Sequence, residues 1–124
     1  MSGTLKRILI VDDEETLTFS LYQSFIISKE NYEVVTASSG TEAWEKFAEH
    51  PFDLILTDIT MPGISGIELL KRVKKERPPT HVIIMTAYGS DEKKEEALSF
   101  GAYRYIEKPF EIKMMKSVIA EALK

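Results

Sequence analysis

The chain of 124 residues contains no cysteine, which excludes a disulfide framework and any metal site built from thiolates. It also lacks a run of about 18 apolar residues, so no segment is predicted to span a membrane. The first residues include no long apolar stretch followed by a small-residue cleavage site, so no secretory signal is visible. Together these absences predict a cytoplasmic protein.

An excess of positive charge is missing as well. The sequence holds 16 lysines and arginines against 20 aspartates and glutamates, which gives a formal net charge of −4. Because non-specific nucleic-acid binding requires clustered basic residues that neutralise phosphates, we do not expect this chain by itself to bind nucleic acid. DNA binding by a separate partner domain stays open.

The composition that remains is typical of a globular protein, with 44% hydrophobic and 29% charged residues. No internal repeat, low-complexity segment or linker rich in glycine and serine marks a domain boundary. We therefore predict a single domain over residues 1–124, which is long enough to bury one core.

Five short runs with strand character follow one another along the chain, at residues 7–11, 33–37, 54–56, 82–85 and 103–107. The first, third and fourth are almost wholly apolar, which suits strands buried on both faces. The second and fifth are more mixed, as edge strands usually are. Between the runs, apolar residues recur at helical spacing, for example Leu17, Leu21 and Phe25. This alternation predicts a doubly wound α/β fold: a five-stranded parallel sheet with five helices on both faces.

The fourth predicted helix differs from the others. It starts with the charged stretch of residues 91–96, and only Ala97, Leu98 and Phe100 can anchor it. We expect low local stability in this helix.

Chemistry-bearing residues stand where four of the predicted strands end. Asp12 and Asp13 follow the first strand, Asp58 the third, Thr86 the fourth and Lys108 the fifth. Ligands of open α/β sheets bind outside the carboxyl ends of the strands, at the switch point in strand order. We therefore expect three acids, a hydroxyl and a lysine to converge on one edge.

Such a cluster of acids requires a cation. Two carboxylates roughly 4–5 Å apart repel by about 3–4 kcal/mol at an effective dielectric near 20, and a third increases the repulsion. Carboxylates, a backbone carbonyl and waters are the hard oxygen ligands that suit Mg²⁺. With Mg²⁺ bound, the Asp58 carboxylate could attack phosphorus and form an aspartyl phosphate. Lys108 would offset charge on the phosphoryl group, and the Thr86 hydroxyl could hydrogen-bond it.

These motifs resemble the two-component response-regulator receiver domain, the family that includes the bacterial chemotaxis receiver. The matching segments extend in order from about residue 6 to residue 123. They are residues 8–14 (ILIVDDE), 58–63 (DITMPG) with Gly66, 85–88 (MTAY), 101–102 (GA) and 108–110 (KPF). The resemblance implies a flavodoxin-like fold, in which the five strands have the order 2-1-3-4-5.

The resemblance also assigns roles at the site. Asp58 matches the phosphoacceptor, which receives its phosphoryl group from a histidine kinase, a phosphotransfer protein or a small phosphodonor. Asp13 and Asp58 match the direct Mg²⁺ ligands, Asp12 binds the ion through water, and the Thr60 backbone carbonyl supplies a further oxygen. Lys108 matches the lysine that contacts the phosphoryl group, and its peptide bond to Pro109 is expected to be cis.

Thr86 and Tyr105 match the switch pair of the family. On phosphorylation the Thr86 hydroxyl moves toward the phosphoryl group, and the Tyr105 ring turns inward. The surface of the fourth helix, fifth strand and fifth helix then changes and docks an output domain or partner protein. The implied protein is a signalling switch, a monomer or phosphorylation-dependent dimer, that catalyses only its own phosphoryl transfer and slow dephosphorylation.

Two positions tune the phosphoryl lifetime in the family, and here they are Thr60 and Tyr88. Neither is acidic or amide-bearing, and Tyr88 can shield the site. We therefore predict slow self-dephosphorylation.

Other readings stay open. A phosphohydrolase of the haloacid dehalogenase type needs a second aspartate two residues after the nucleophile, where Thr60 stands. A flavodoxin-like electron carrier needs a first loop that cradles phosphate, whereas this loop is acidic. A pseudo-receiver would have lost an acid or the lysine, and none is missing. Taken singly, Asp58 could form a turn, Lys108 could be solvated, and Tyr105 could pack an edge strand.

Overall fold

The computed structural model describes residues 5–27 and 31–124, which contain a parallel sheet of five strands. The strands are β1 (Lys6–Val11), β2 (Tyr32–Ala37), β3 (Leu54–Asp58), β4 (His81–Thr86) and β5 (Arg104–Glu107). Their order across the sheet is β2-β1-β3-β4-β5, and every neighbouring pair is parallel. The predicted strand order is confirmed, and the predicted strands differ from these only at their ends.

The helices between and after these strands cover both faces of the sheet. They are α1 (Glu15–Ile27), α2 (Gly40–Glu49), α3 (Gly66–Glu76), α4 (Asp91–Ser99) and α5 (Ile112–Ala122). Buried residues of α1 and α5 form one apolar cluster with the sheet, and those of α2, α3 and α4 form the other. In β1, Ile8 and Ile10 join the first cluster while Leu9 and Val11 join the second, because successive strand side chains point to opposite faces. No helix in the described ranges is long and apolar enough to cross a bilayer.

Strand β2 lies at one edge of the sheet. Its last carbonyl, that of Ala37, accepts a hydrogen bond from the Asp12 N–H at 3.1 Å and thus faces β1. The preceding carbonyl, that of Thr36, accepts one from the Lys46 ammonium of α2 at 2.6 Å. Since carbonyls alternate in direction along a strand, α2 supplies a donor to the outward side of β2.

Helix α4 is anchored even less than its sequence predicts. Of the three expected anchors only Ala97 is buried, whereas Leu98 is 44% and Phe100 is 40% exposed. Successive helical residues point about 100° apart, so Leu98 leaves the face on which Ala97 packs. Phe100 follows the helix, and its ring lies 4.4 Å from the Lys71 ammonium instead of entering the core. The prediction of Leu98 and Phe100 as anchors was therefore wrong.

Candidate functional site

The parallel register brings the ends of four strands to one edge of the sheet. Asp12, Asp58 and Thr86 are buried there, with 1%, 8% and 1% of their surface exposed. β1 and β3 are neighbours, although the chain first visits β2 on the other side of β1. This is the reversal in strand order at which open α/β sheets bind ligands.

Lys108 connects two of the acids. Its Nζ lies 2.6 Å from Asp12 Oδ2 and 2.8 Å from Asp58 Oδ2, and donates to both. The exposed carboxylate of Glu14 lies farther away, at 3.7 Å. The side chains of Lys108, Asp12 and Asp58 are 13%, 0% and 12% exposed. A single ammonium group therefore donates hydrogen bonds to two buried carboxylates, and the three groups together carry one excess negative charge.

The second oxygen of each carboxylate is held by the local backbone. Asp12 Oδ1 accepts a hydrogen bond from the Glu14 N–H at 2.9 Å. Asp58 Oδ1 accepts one from the Thr60 N–H at 3.3 Å. These bonds to the residue two positions on are typical of aspartates that begin turns. The turn reading of Asp58 and its place in the acid cluster are thus compatible.

The charge of the lysine is secured by its neighbours. Burial lowers the pKa of Lys108, but its hydrogen bonds to Asp12 and Asp58 and the charges of both carboxylates outweigh burial and raise the pKa to about 12. Lys108 is therefore an ammonium group at neutral pH. It can act as a point charge on a bound anionic group.

Asp13 does not join this cluster. It is exposed, and over residues 5–27 and 31–124 no group of three acidic, histidine or cysteine side chains is close enough to hold a metal ion. The described residues therefore do not gather the three acids in one cluster, and the role of Asp13 as a Mg²⁺ ligand stays a prediction. The chain bends at Asp13, which is exposed, whereas the preceding Asp12 is buried.

Thr86 and Tyr105 lie on the adjacent strands β4 and β5. The Thr86 hydroxyl accepts a hydrogen bond from the Tyr88 N–H at 3.1 Å, and its carbonyl accepts one from the Lys108 N–H at 2.9 Å. The Tyr105 hydroxyl is buried beside Gly89. The ring itself is half-buried, and its inward turn on phosphorylation stays a prediction. Gly89 was missed in the sequence, because a glycine in a loop looks like a simple turn former.

A groove of about 330 Å³ opens beside Lys108. Its lining residues are Glu14, Leu17, Ala87, Lys108, Pro109 and Phe110. The Lys108–Pro109 peptide bond is cis, as predicted. The groove gives a ligand access to the lysine, while Thr60 and Tyr88 lie exposed.

Comparison with known proteins decides the family. A family model described as the response regulator receiver domain matches residues 8–120. The chain belongs to this family. It is therefore a receiver domain of two-component response regulators, which sets aside the phosphohydrolase and electron-carrier readings.

The receiver domain is similar to proteins of different lengths. It is 39% identical to the transcriptional regulatory protein ZraR of Klebsiella oxytoca over 99% of this chain and 27% of that protein. It thus spans about a quarter of that relative's length. It is 36% identical to sporulation initiation phosphotransferase F of Bacillus subtilis over 95% of this chain and 94% of that protein.

The fold is similar to that of a CheY-like receiver domain protein from Methanospirillum hungatei JF-1. The TM-score is 0.88 and the sequence identity is 38%. The match covers 97% of this chain and 94% of that one.

Receiver domains generally bind Mg²⁺ at an acidic pocket. The donors in this receiver domain fit that ion. Mg²⁺ is usually bound by one or two carboxylates and keeps several waters, and Asp12 and Asp58 present two buried carboxylates side by side. A third acid is not required for the ion to bind.

Proposed function

We propose that Asp58 is the phosphoacceptor of this receiver domain and that its phosphorylation switches the protein between signalling states. The donor is the phosphohistidine of a histidine kinase or phosphotransfer protein, or a small phosphodonor. One observation carries this proposal: the Lys108 ammonium lies between the Asp12 and Asp58 carboxylates at the carboxyl edge of the sheet. A carboxylate beside a charged lysine and a second acid is equipped to accept an anionic group.

In the transfer step, an Asp58 carboxylate oxygen attacks phosphorus. The bond between phosphorus and the donor breaks, and its electron pair leaves with the imidazole nitrogen or the acetate oxygen. The product is an acyl phosphate on Asp58. Lys108 offsets charge on the transferring group and can follow it, because its ammonium already contacts the attacking carboxylate.

Mg²⁺ would be held by the Asp13 and Asp58 carboxylates, by Asp12 through water and by the Thr60 carbonyl. When bound, the ion neutralises negative charge on the phosphoryl group and on the attacking oxygen. Asp12 also keeps Lys108 at the site, since its fully buried carboxylate accepts a hydrogen bond from the ammonium at 2.6 Å.

The signal would pass through Thr86 and Tyr105. Thr86 follows Met85, which pairs with Asp58 on the neighbouring strand, and would hydrogen-bond the new phosphoryl oxygen, while Tyr105 would respond from β5. The surface of α4, β5 and α5 would then dock an output domain or partner protein. Such a two-state element is biased by one local bond.

The wider setting is part of the proposal. Receiver domains are signalling domains, and we expect this one to catalyse only its own phosphoryl transfer and slow dephosphorylation. We expect it to act in the cytoplasm, to bind no nucleic acid itself, and to be a monomer or a phosphorylation-dependent dimer.

The test is incubation with acetyl phosphate or phosphoramidate and Mg²⁺, followed by intact-protein mass measurement. The expected result is a gain of one phosphoryl group that is lost in Asp58→Asn. Asp53→Asn is the matched control: Asp53 precedes the same strand at its other end, and asparagine can still accept the hydrogen bond from the Arg7 N–H. No mass gain with either donor or with a cognate kinase would favour the pseudo-receiver reading.

A further inference from the structure

Gly89 lies between the two residues of the proposed switch pair. A Cβ atom at this position would lie 2.3 Å from the Tyr105 hydroxyl oxygen and 3.2 Å from its Cζ. The same atom would lie 3.1 Å from the Thr86 methyl group. The first of these distances is well inside van der Waals contact, so the buried Tyr105 hydroxyl occupies space that any other residue at 89 would fill.

The backbone itself does not require glycine here. Among the described glycines only Gly63 and Gly101 have positive φ, so Gly89 adopts a conformation open to L-residues. The missing side chain therefore serves Tyr105 and not the turn. The clash is with the end of a side chain that can rotate, so an added methyl group would displace the ring and leave the loop in place.

The buried hydroxyl of Tyr105 gains no hydrogen bond to offset its loss of contact with water. Its hydroxyl is the one buried side-chain polar atom in the described residues that has no hydrogen-bond partner. Burial raises the pKa of the Tyr105 phenol. The nearby Ser90 N–H lowers this pKa, although it does not meet the geometry of a hydrogen bond to the hydroxyl. The negative charges of Glu107 and Asp91 raise the pKa further. An unpaired buried hydroxyl is unfavourable, and rotation outward would return it to water.

We propose that Gly89 is a positioning residue that sets where the Tyr105 ring lies. Glycine leaves room for the Tyr105 hydroxyl beside position 89, and any side chain at 89 turns the ring outward toward solvent. Position 89 thereby determines how strongly Thr86 and Tyr105 are coupled. The steric effect of a side chain at position 89 does not depend on the proposed function, and only its consequence for signalling rests on that function.

The test is Gly89→Ala in protein whose tyrosines carry a heavy carbon isotope at Cζ, with the Tyr105 signal assigned by its loss in Tyr105→Phe. In the unaltered protein, we expect this signal to titrate above the ordinary tyrosine pKa of 10.0, because the hydroxyl is buried. In Gly89→Ala we expect it to lose that upward shift, because the ring turns outward.

Tyr105→Phe supplies a second arm. It removes the hydroxyl oxygen that would lie 2.3 Å from a Cβ atom at position 89. Adding Gly89→Ala should therefore destabilise the Tyr105→Phe variant less than it destabilises the unaltered protein. If Gly89→Ala does not fold, Tyr105→Phe should restore folding, and failure to restore it would overturn the proposal. An unshifted Tyr105 pKa in the unaltered protein, or a shift retained in a folded Gly89→Ala, would also overturn it.

These measurements use no phosphodonor. Phosphorylation of the unaltered protein at Asp58 is followed separately by mass. If Asp58 accepts no phosphoryl group, the proposed function fails while the ring measurement still decides the role of Gly89.

Discussion

At the scale of single residues, Lys108 is the group on which the site depends most. Two carboxylates with almost no exposure to water would repel each other strongly without a cation between them. The lysine supplies that cation from the end of β5, the last strand in the chain, to acids that end the first and third strands. The same contact holds the Asp58 oxygen that is proposed to attack phosphorus.

Replacing Lys108 with methionine tests this dependence. We expect Lys108→Met to lower the free energy of unfolding by about 3 kcal/mol, because it leaves two buried carboxylates unpaired. Added Mg²⁺ should restore part of the loss, since the ion can take over the neutralisation. Urea unfolding with and without Mg²⁺ measures both effects, and the exposed Lys75→Met on α3 is the control. A loss equal to that of the control would contradict the prediction.

The phosphoryl lifetime is also decided by single residues. Thr60 offers no carboxylate or amide to position water, and the Tyr88 side chain, 79% exposed, is free to fold over the site. We expect slow loss of the phosphoryl group and a several-fold faster loss in Tyr88→Ala. The decay of the phosphorylated mass after donor removal measures this, with Tyr22→Ala on α1 as control. A half-life of seconds in the unaltered protein would refute the prediction.

At the scale of elements, α4 stands apart from the other helices of the described chain. Its nine residues bury only Ala97, whereas α3 buries Gly66, Leu69, Leu70 and Val73 over eleven residues. Most of the stability of a helix in a protein comes from packing of its apolar face. The helix is therefore held mainly at its ends, where the Ser90 hydroxyl accepts a hydrogen bond from the Lys93 N–H.

Hydrogen exchange should reveal this weakness. We expect the amides of α4 to exchange faster than those of α3, because few buried contacts oppose local opening. Ser90→Ala should speed exchange in α4 further, since loss of such a cap costs about 1 kcal/mol. Ser65→Ala removes the same kind of bond at the start of α3 and is the matched control. If α4 and α3 exchange alike, packing does not control the stability of α4.

The sequence predicts the elements well and the directions of particular side chains poorly. Apolar runs and helical spacing reveal the strands and helices because each is a local pattern. Asp13 was placed with Asp12, yet the bend between them sends its side chain to solvent. Leu98 was placed with Ala97, although a rotation of one helical position removes it from the core. Gly89 matters only through a ring on β5, sixteen residues later, which no local pattern could reveal.

At the scale of the whole molecule, the proposed switch pair and the proposed output surface lie toward the β5 edge of the sheet. Thr86, Lys108 and Tyr105 all belong to β4, β5 or the loop that follows, whereas α2 is attached at the β2 edge. A change at Asp58 therefore has a short route to α4 and α5. That residues 1–124 act as one domain stays a prediction.

Phosphorylation should change hydrogen exchange in one part of the molecule and not in the rest. With donor and Mg²⁺ we expect hydrogen exchange to change in α4, β5 and α5 and to stay constant in α2. Asp58→Asn treated in the same way gives the baseline. Changes spread evenly over the sheet, or confined to α1, would contradict the proposed output surface.

The Lys46 contact with β2 has a consequence for crowded conditions. An open sheet edge is a template on which another chain can add a strand, and such pairing leads to aggregation. Here an outward carbonyl of β2 is already occupied by the Lys46 ammonium, and any incoming strand would also meet that charge. The β2 edge of the receiver domain is thus protected against strand addition by a side chain that takes no part in the proposed phosphoryl transfer.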